Sequence, residues 1–358
     1  MSNDNAPGKL ASQTAQTTAQ PPMVLVTGGG GYIGSHTVLS LYESGYQPVL
    51  VDNWSNSNPI VLDRLEALSG VRPIHYDLDL RDRASLSALF ASNQIDSVIH
   101  FAGLKAVGES QQLPLEYYDN NVLGTLNLLD AMRDNDCSKL VFSSSATVYG
   151  DPQFVPITEQ ANLSATNPYG RTKLMIEEIL RDLASSDPKW QIAVLRYFNP
   201  VGAHESGLIG EDPHGEPNNL VPYIAQVAVG KLKQLSVFGD NYDTVAGTGV
   251  RDYIHVLDLA QAHLSALEVL SPTHGCKAYN IGTGQGYSVF EVIRAFEQAS
   301  GQHIPFTVQP RRPGDIATCY ADVGYSKKAL SWQAKFDLKT MMADHWRWQQ
   351  QNPDGYTK

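Results

Sequence analysis

Tyr169 and Lys173 stand four residues apart in a Tyr-Gly-Arg-Thr-Lys run, and three consecutive serines, Ser143, Ser144 and Ser145, lie upstream. On a helix, a spacing of four puts two side chains on one face. A tyrosine with an ordinary pKa of about 10 is a poor base near neutrality. A nearby ammonium group favours the phenolate, as would any second cation in the site. Lowering the phenol by three units requires roughly 4 kcal/mol, which two close cations in a partly dry site can supply. Alone, such a pair is an ordinary exposed helix face; a serine-rich strand end before it turns the spacing into candidate acid–base chemistry.

A second constellation supplies the context. Gly28, Gly31 and Gly34 form a GxxGxxG turn directly after an apolar run and directly before a helical one. Glycine is required there because the turn is tight and a diphosphate must approach the backbone at a helix N-terminus. Asp52 follows Gly34 by 18 residues, at the end of the next apolar run. In that register it accepts hydrogen bonds from an adenosine ribose and repels a 2′-phosphate, which selects NAD over NADP.

These residues need a frame. Short apolar strands are expected at 23–27, 48–52, 73–76, 97–101, 140–144 and 192–197, alternating with helical patterns such as 32–43 and 114–133. Repeated strand–helix units imply an α/β fold with a parallel sheet covered on both faces. The right-handed crossover rule makes it a doubly wound, Rossmann-type sheet. Beyond Asn199 the chain turns loop-rich to about residue 250, and the strand–helix beat returns near 253–270. Helical patterns at 289–299 and 338–349 flank a basic loop, 310–315. The expected organisation is a tail over 1–22, a dinucleotide-binding domain over 23–199 with a returning segment near 251–270, and a smaller C-terminal substrate-binding lobe over 200–358.

Composition narrows the class. The 358 residues are 42% hydrophobic and 18% charged, as in an ordinary globular enzyme. The net charge of −11 argues against a nucleic-acid partner, since affinity for phosphate backbones comes mainly from Lys and Arg. An anionic substrate must then be held by local arginines. Three scattered cysteines make a disulfide framework or zinc site a poor reading and favour a reducing, cytoplasmic setting. Ten histidines include no HExxH pattern, so no metal is expected. The first 22 residues lack a secretion signal, and no apolar window approaches membrane-spanning length.

The glycine turn, Asp52, the serine run and the Tyr–Lys pair together resemble the extended short-chain dehydrogenase/reductase superfamily. Longer motifs are more specific. Residues 100–110 (HFAGLKAVGES), 117–122 (YYDNNV), 143–150 (SSSATVYG), 195–203 (LRYFNPVGA), 210–220 (GEDPHGEPNNL) and 251–255 (RDYIH) are similar to the UDP-galactose 4-epimerase family. The likeness runs from about residue 23 nearly to the C-terminus.

The resemblance implies an NAD-dependent inversion of C4 in a UDP-hexose through a transient 4-keto sugar. It makes Tyr169 the base and acid at the 4-hydroxyl, with Ser145 on the same oxygen and Lys173 tuning Tyr169 and bonding the nicotinamide ribose. It places Tyr32, Ile33, Asp52, Asn53, Asp79, Leu80, Phe101, Ala102, Gly103, Leu104, Lys105, Asn120 and Phe198 in the NAD site. The UDP-sugar falls to Asn199, Asn219, Leu220, Arg251, Arg312 and Asp315, with Lys105, Ser145 and Tyr169 shared; whether Arg311 or Arg312 meets the diphosphate stays open. A homodimer through the helices near 114–133 and 169–183 is implied as well. Cys319 stands where members restricted to UDP-glucose and UDP-galactose carry a bulky Tyr, so activity on N-acetylhexosamines is expected too. Ala146-Thr147 occupies the place of the Asp-Glu pair of the 4,6-dehydratases, which argues against dehydration.

Overall fold

The computed structural model describes residues 20–312 and 314–357. The tail read over 1–22 therefore lies outside the described residues, apart from 20–22. The chain begins with β1 (Met23–Thr27), β2 (Gln47–Asp52), β3 (Ile74–Asp77), β4 (Ser97–His100), β5 (Lys139–Ser145) and β6 (Gln191–Tyr197). Next come the short β7 (Asn199–Val201), β8 (Leu235–Phe238) and β9 (Val250–His255). β10 (Gly275–Ile281), β11 (Gly286–Ser288), β12 (Phe306–Gln309) and β13 (Thr318–Cys319) complete the strands.

The main sheet has seven strands in the order β10-β6-β5-β4-β1-β2-β3, and every pairing in it is parallel. Each face is apolar because the residues of a strand alternate sides. Val24 and Val26 enter one core with the helices Tyr32–Glu43 and Val256–Glu268, while Leu25 enters the other with the helices Arg83–Ser92, Gly124–Asp134 and Pro168–Ser186. The doubly wound arrangement read from the strand–helix beat is what forms. The strand order reverses between β1 and β4, and such switch points open a crevice at the strands' C-terminal ends.

Six of the seven sheet strands coincide with runs legible in the sequence. The seventh, β10, is an edge strand of sequence GCKAYNI, buried fully only over its last three residues. An edge strand tolerates polar residues on its open side, so it lacks the apolar run that marks its neighbours. The stretch expected as one helix over 114–133 is broken in its middle by a wide π turn, Tyr118–Leu123. That turn carries Asn121 inward, where it is buried.

Only Phe198 separates β6 from β7, so a second sheet starts where the main sheet ends. There β9 pairs with β7 and β13 in parallel and with β11 antiparallel. The helices Leu220–Ala228, Val289–Ser300 and Leu338–Gln351 surround a third core beside it. Among the described residues no helix is long and apolar enough to cross a membrane.

Candidate active site

The glycine turn forms a cradle closed to side chains. Gly28 adopts φ +68°, and a Cβ there would sit 2.7 Å from the Ala102 nitrogen. A Cβ on Gly34 would strike the Gly28 carbonyl oxygen. The Gly28 N–H donates to the Val51 carbonyl at 2.7 Å, docking the turn on β2. Gly31 stands at the N-terminus of the helix Tyr32–Glu43, whose first N–H groups and dipole favour an anion. Asp52 is buried at the end of β2 and accepts from the Gly30 N–H (2.9 Å), the Trp54 N–H (2.9 Å) and the Ser57 hydroxyl (2.8 Å). Its carboxylate is thereby fixed before any ribose arrives. Bare backbone at a helix N-terminus, with an acidic residue one strand over, fits an NAD diphosphate and ribose.

All the residues read as cofactor-binding line one cleft of about 490 Å³, except Ser145 and Phe198. Asn53 donates to Asp79 at 3.0 Å, and the Arg81 guanidinium holds the Asp79 carboxyl well below the usual carboxylate range. Phe198 lies elsewhere: it is buried in a small core with Val148, Tyr149, Ile157 and Ala321, against which Cys319 packs.

The helix Pro168–Ser186 is set by Asn167, whose side chain caps it by accepting from the Gly170 N–H at 2.8 Å. Tyr169 and Lys173 line the cleft from one face of this helix. The Lys173 Nζ donates to the Ser143 carbonyl at 2.7 Å and lies 3.3 Å from the Ser143 hydroxyl. Burial pulls its pKa down to about 7. Burial also pushes the Tyr169 phenol up, and only the Ser145 hydroxyl draws it back down. The Lys173 ammonium is anchored on the end of β5, through the Ser143 carbonyl and hydroxyl. The Ser145 oxygen accepts from both the Thr147 N–H (3.2 Å) and the Thr147 hydroxyl (3.0 Å). Its own proton is therefore free to donate.

The small sheet carries three of the residues expected to hold the UDP-sugar, Asn199, Arg251 and Cys319. Cys319 on β13 is in register with Arg251 on β9, and Asn199 on β7 pairs with Tyr253 further along the same strand. The Arg251 guanidinium donates to its own strand's Val250 carbonyl at 2.9 Å. Burial pushes the Cys319 thiol up to about 11, so it is a small neutral wall and a poor nucleophile near neutrality. Asn219 lines the cleft at the start of the helix Leu220–Ala228, whereas Leu220 packs on the third core. Arg312 pairs with Asp315 at 2.9 Å and lies 4.8 Å from the Phe238 ring centroid. Arg311 is held differently, with Nε on the Asn241 side chain at 2.8 Å and its guanidinium 4.0 Å from the Tyr242 ring. Asn199, Arg251, Arg312, Asp315 and Cys319 are not among the lining residues of the cleft.

Four residues of consequence escaped the sequence reading. Tyr197 lines the cleft at the end of β6, in register with Ser145 on β5. Asn121, presented by the π turn, accepts from the Leu104 N–H (2.8 Å) and donates to the Thr172 hydroxyl (3.0 Å), tying the cleft loop to the helix Pro168–Ser186. Glu211 is a buried carboxylate facing Lys105 across the cleft at 3.4 Å. Tyr356, two residues from the C-terminus, lines the same wall and accepts from the Gly210 N–H at 3.3 Å. Tyr197, Asn121 and Glu211 lie inside motifs already singled out, but their neighbours are set by tertiary contacts that no spacing announces.

Sheet, cradle and the Ser–Tyr–Lys arrangement define a nucleotide-sugar enzyme of the short-chain dehydrogenase/reductase type. Residues 24–282 match the NAD dependent epimerase/dehydratase family. The UDP-glucose 4-epimerase of Bacillus subtilis (strain 168) is 59% identical over 333 residues, spanning 93% of this chain and 98% of the relative. The UDP-glucose 4-epimerase of Bifidobacterium longum, solved in complex with NAD+ and UDP, is 55% identical with a TM-score of 0.91, covering 93% of this chain and all of that one (100%). A more distant neighbour, the UDP-Glc/GlcNAc 4-epimerase of Campylobacter jejuni, is 37% identical with a TM-score of 0.81, covering 92% and 99%. The chain belongs to the NAD dependent epimerase/dehydratase family and, within it, to the UDP-glucose 4-epimerases; it is an isomerase whose cofactor is NAD.

Proposed function

We propose that this epimerase inverts C4 of a UDP-hexose through Tyr169, Ser145 and Lys173, and that Cys319 extends its range to UDP-N-acetylhexosamines. The observation carrying the first part is that one helix face brings Tyr169 and Lys173 against the end of β5, at the mouth of the glycine cradle. Tyr169 takes the proton of the 4-hydroxyl and later returns it. Ser145, with both of its acceptor positions engaged by Thr147, donates its proton toward that oxygen. NAD, when bound, accepts the C4 hydride and gives it back, and its positive ring supplies the charge that favours the phenolate. Lys173 holds the serine strand end and reaches the nicotinamide ribose. Arg251, Arg312, Asp315, Asn199, Asn219 and Leu220 keep UDP in place while the 4-keto sugar turns over, so binding energy rests on the part of the substrate that does not react. Incubation with UDP-galactose should yield UDP-glucose without net NADH; release of stoichiometric NADH would overturn the closed cycle.

The second part is steric. Cys319 is half-buried beside Arg251 and packs on the Phe198 core, leaving a small side chain in the sugar-side sheet. The Campylobacter jejuni relative is named for both UDP-Glc and UDP-GlcNAc. A tyrosine at 319 would overfill the space an acetamido group needs, at a cost of about 1–3 kcal/mol or more. Cys319→Tyr should therefore abolish turnover of UDP-N-acetylgalactosamine and leave that of UDP-galactose largely intact, read by chromatography of the product sugars. A wild-type chain inert on UDP-N-acetylgalactosamine at high enzyme concentration would reject this extension and leave the core assignment standing.

The same reading places the protein in the cytoplasm as a homodimer. Leu115, Leu123, Leu126 and Met175 are exposed on the helical stretches at 114–134 and Pro168–Ser186, an apolar face that a second copy would cover. Sedimentation at the monomer mass would reject the dimer.

A further inference from the structure

The face of the helix Pro168–Ser186 that bears Tyr169 and Lys173 continues, four residues on, to Glu177. Its carboxylate is buried, and its partners lie on the serine strand, on the neighbouring strand β6 and on its own helix. One oxygen accepts from the Ser144 hydroxyl at 2.6 Å and from the Arg196 Nε at 2.9 Å. The other accepts from the Arg196 Nη2 at 2.6 Å and from the Arg181 Nη2 at 2.7 Å. The Arg196–Glu177 pair is thus bidentate, the geometry that fixes orientation as well as distance. Ser144 and Arg196 face each other in the β5–β6 register. Glu177 therefore binds helix and both strands at one point, a single turn from Lys173.

Ser144 lies between the two serines the chemistry uses. Ser143 receives Lys173, and Ser145 bears on Tyr169. The polar chain also runs on from Arg196. Its Nη1 donates to the Tyr149 hydroxyl at 3.0 Å, and that hydroxyl donates to Asn280 on β10 at 2.6 Å. Asn280 in turn donates to the Ile157 carbonyl at 2.8 Å, and Ile157 bridges to Ala321, two residues beyond Cys319. One hydrogen-bonded line thus joins the catalytic helix to the strand of the sugar side.

We propose that Glu177, acting through Ser144 and Arg196, is a positioning residue that sets the height and rotation of the catalytic helix against the serine strand. The proposal rests on the assignment of Tyr169 as the base. A buried carboxylate that served stability alone could be met by arginines anywhere on the helix. Here, besides Arg181 and Arg196, it is met by the hydroxyl of the serine between the two working ones, and a displacement there moves Tyr169 against Ser145 directly.

Ser144→Ala is the informative variant, since it removes the helix-to-strand tether and leaves the ion pair whole; Glu177→Gln, which strands two buried guanidinium contacts, accompanies it. Steady-state turnover of UDP-galactose across pH, retained NAD and thermal unfolding are measured for both, beside Tyr169→Phe. For Ser144→Ala we expect kcat to fall on the order of tenfold with KM little changed, because misplacement by a fraction of an ångström acts on the reacting geometry. The acid limb of its kcat profile should move to higher pH, because a phenol held less well by Ser145 titrates higher. Glu177→Gln should do both more strongly, or fail to fold, in which case Ser144→Ala alone decides. An unchanged kcat and pH profile in Ser144→Ala while Tyr169→Phe is inactive overturns the proposal. A kcat loss that only follows a lowered melting temperature, with the acid limb unmoved, overturns it as well. Near-normal activity in Tyr169→Phe would instead remove the assignment on which it rests.

Discussion

On the NAD side of the cleft, contacts come from the backbone and from carboxylates already fully engaged. Gly28 and Gly34 have no room for a Cβ, and Asp52 is locked by three donors. On the side proposed to hold the sugar nucleotide, outside the lining of that cleft, the candidate contacts are long cations parked on local acceptors. Arg251 rests on a carbonyl of its own strand, and Arg312 pairs with a carboxylate three residues away while half-exposed. The first arrangement is preorganised and needs no rearrangement to receive a diphosphate. On the proposed assignment, the second would exchange one set of partners for another each time a substrate enters or leaves. That difference suits the reaction: the cofactor is regenerated in every turnover, whereas the UDP-sugar must come and go.

The sharpest blow to this division falls at its junction. Tyr169→Phe keeps the ring and removes the base, so folding and bound NAD should survive. Turnover should fall by about 10²–10⁴-fold or more, the range of a general acid–base group. The mutant should bind UDP-galactose with near-wild-type affinity, measured by titration. A Phe enzyme that turns over normally would show that the proton leaves by another route.

Breaking the rigid side should give a smaller, different loss. Gly34→Ala forces a Cβ against the Gly28 carbonyl. Overpacking of this kind costs about 1–3 kcal/mol, and it should appear as a lower melting temperature together with protein that purifies without NAD. Retention of NAD at wild-type stoichiometry would mean that the turn yields easily, and the contrast in rigidity would fail.

The same contrast explains what was legible beforehand. The cradle, Asp52 and the Tyr169–Lys173 spacing announce themselves because backbone sterics and helical periodicity tie function to residue type at fixed intervals. The main sheet was readable for the same reason, since parallel strands buried on both faces need unbroken apolar runs. β10 was not, because its GCKAYNI run breaks the apolar pattern with Gly, Lys and Asn, which an edge position allows. The anchorage of Lys173 on Ser143 was equally hidden: a spacing of four shows a shared face, not which partner an ammonium selects. Glu211 opposite Lys105, and Glu177 beneath Ser144, are pairings between distant segments, and only the folded sheet brings them together.

The mildest prediction concerns which cation on the adaptable side meets the diphosphate. Arg311 and Arg312 are neighbours with unequal freedom. Arg311 is held on both the Asn241 side chain and the face of Tyr242, inside its own loop. Arg312 has one exposed ion pair, with Asp315, and lies 4.8 Å from the Phe238 ring, a looser hold than Arg311 has on Asn241 and Tyr242; such exposed pairs are worth about 0–1 kcal/mol, so Arg312 is released more cheaply. We therefore predict that Arg312 is the one to turn toward UDP. Because the diphosphate is held equally before, during and after C4 inversion, losing this contact removes uniform binding: KM rises and kcat stays. For Arg312→Ala we expect KM for UDP-galactose to rise about fivefold to tenfold, equivalent to roughly 1 kcal/mol, with kcat changed less than twofold. The rise should shrink as salt is added, since exposed charge contacts are screened. Arg311→Ala should leave KM near wild type and act instead on the stability of the 239–247 loop it braces. The reverse pattern, with KM rising in Arg311→Ala and not in Arg312→Ala, would exchange the two roles and show that the more firmly held arginine can still be the mobile one.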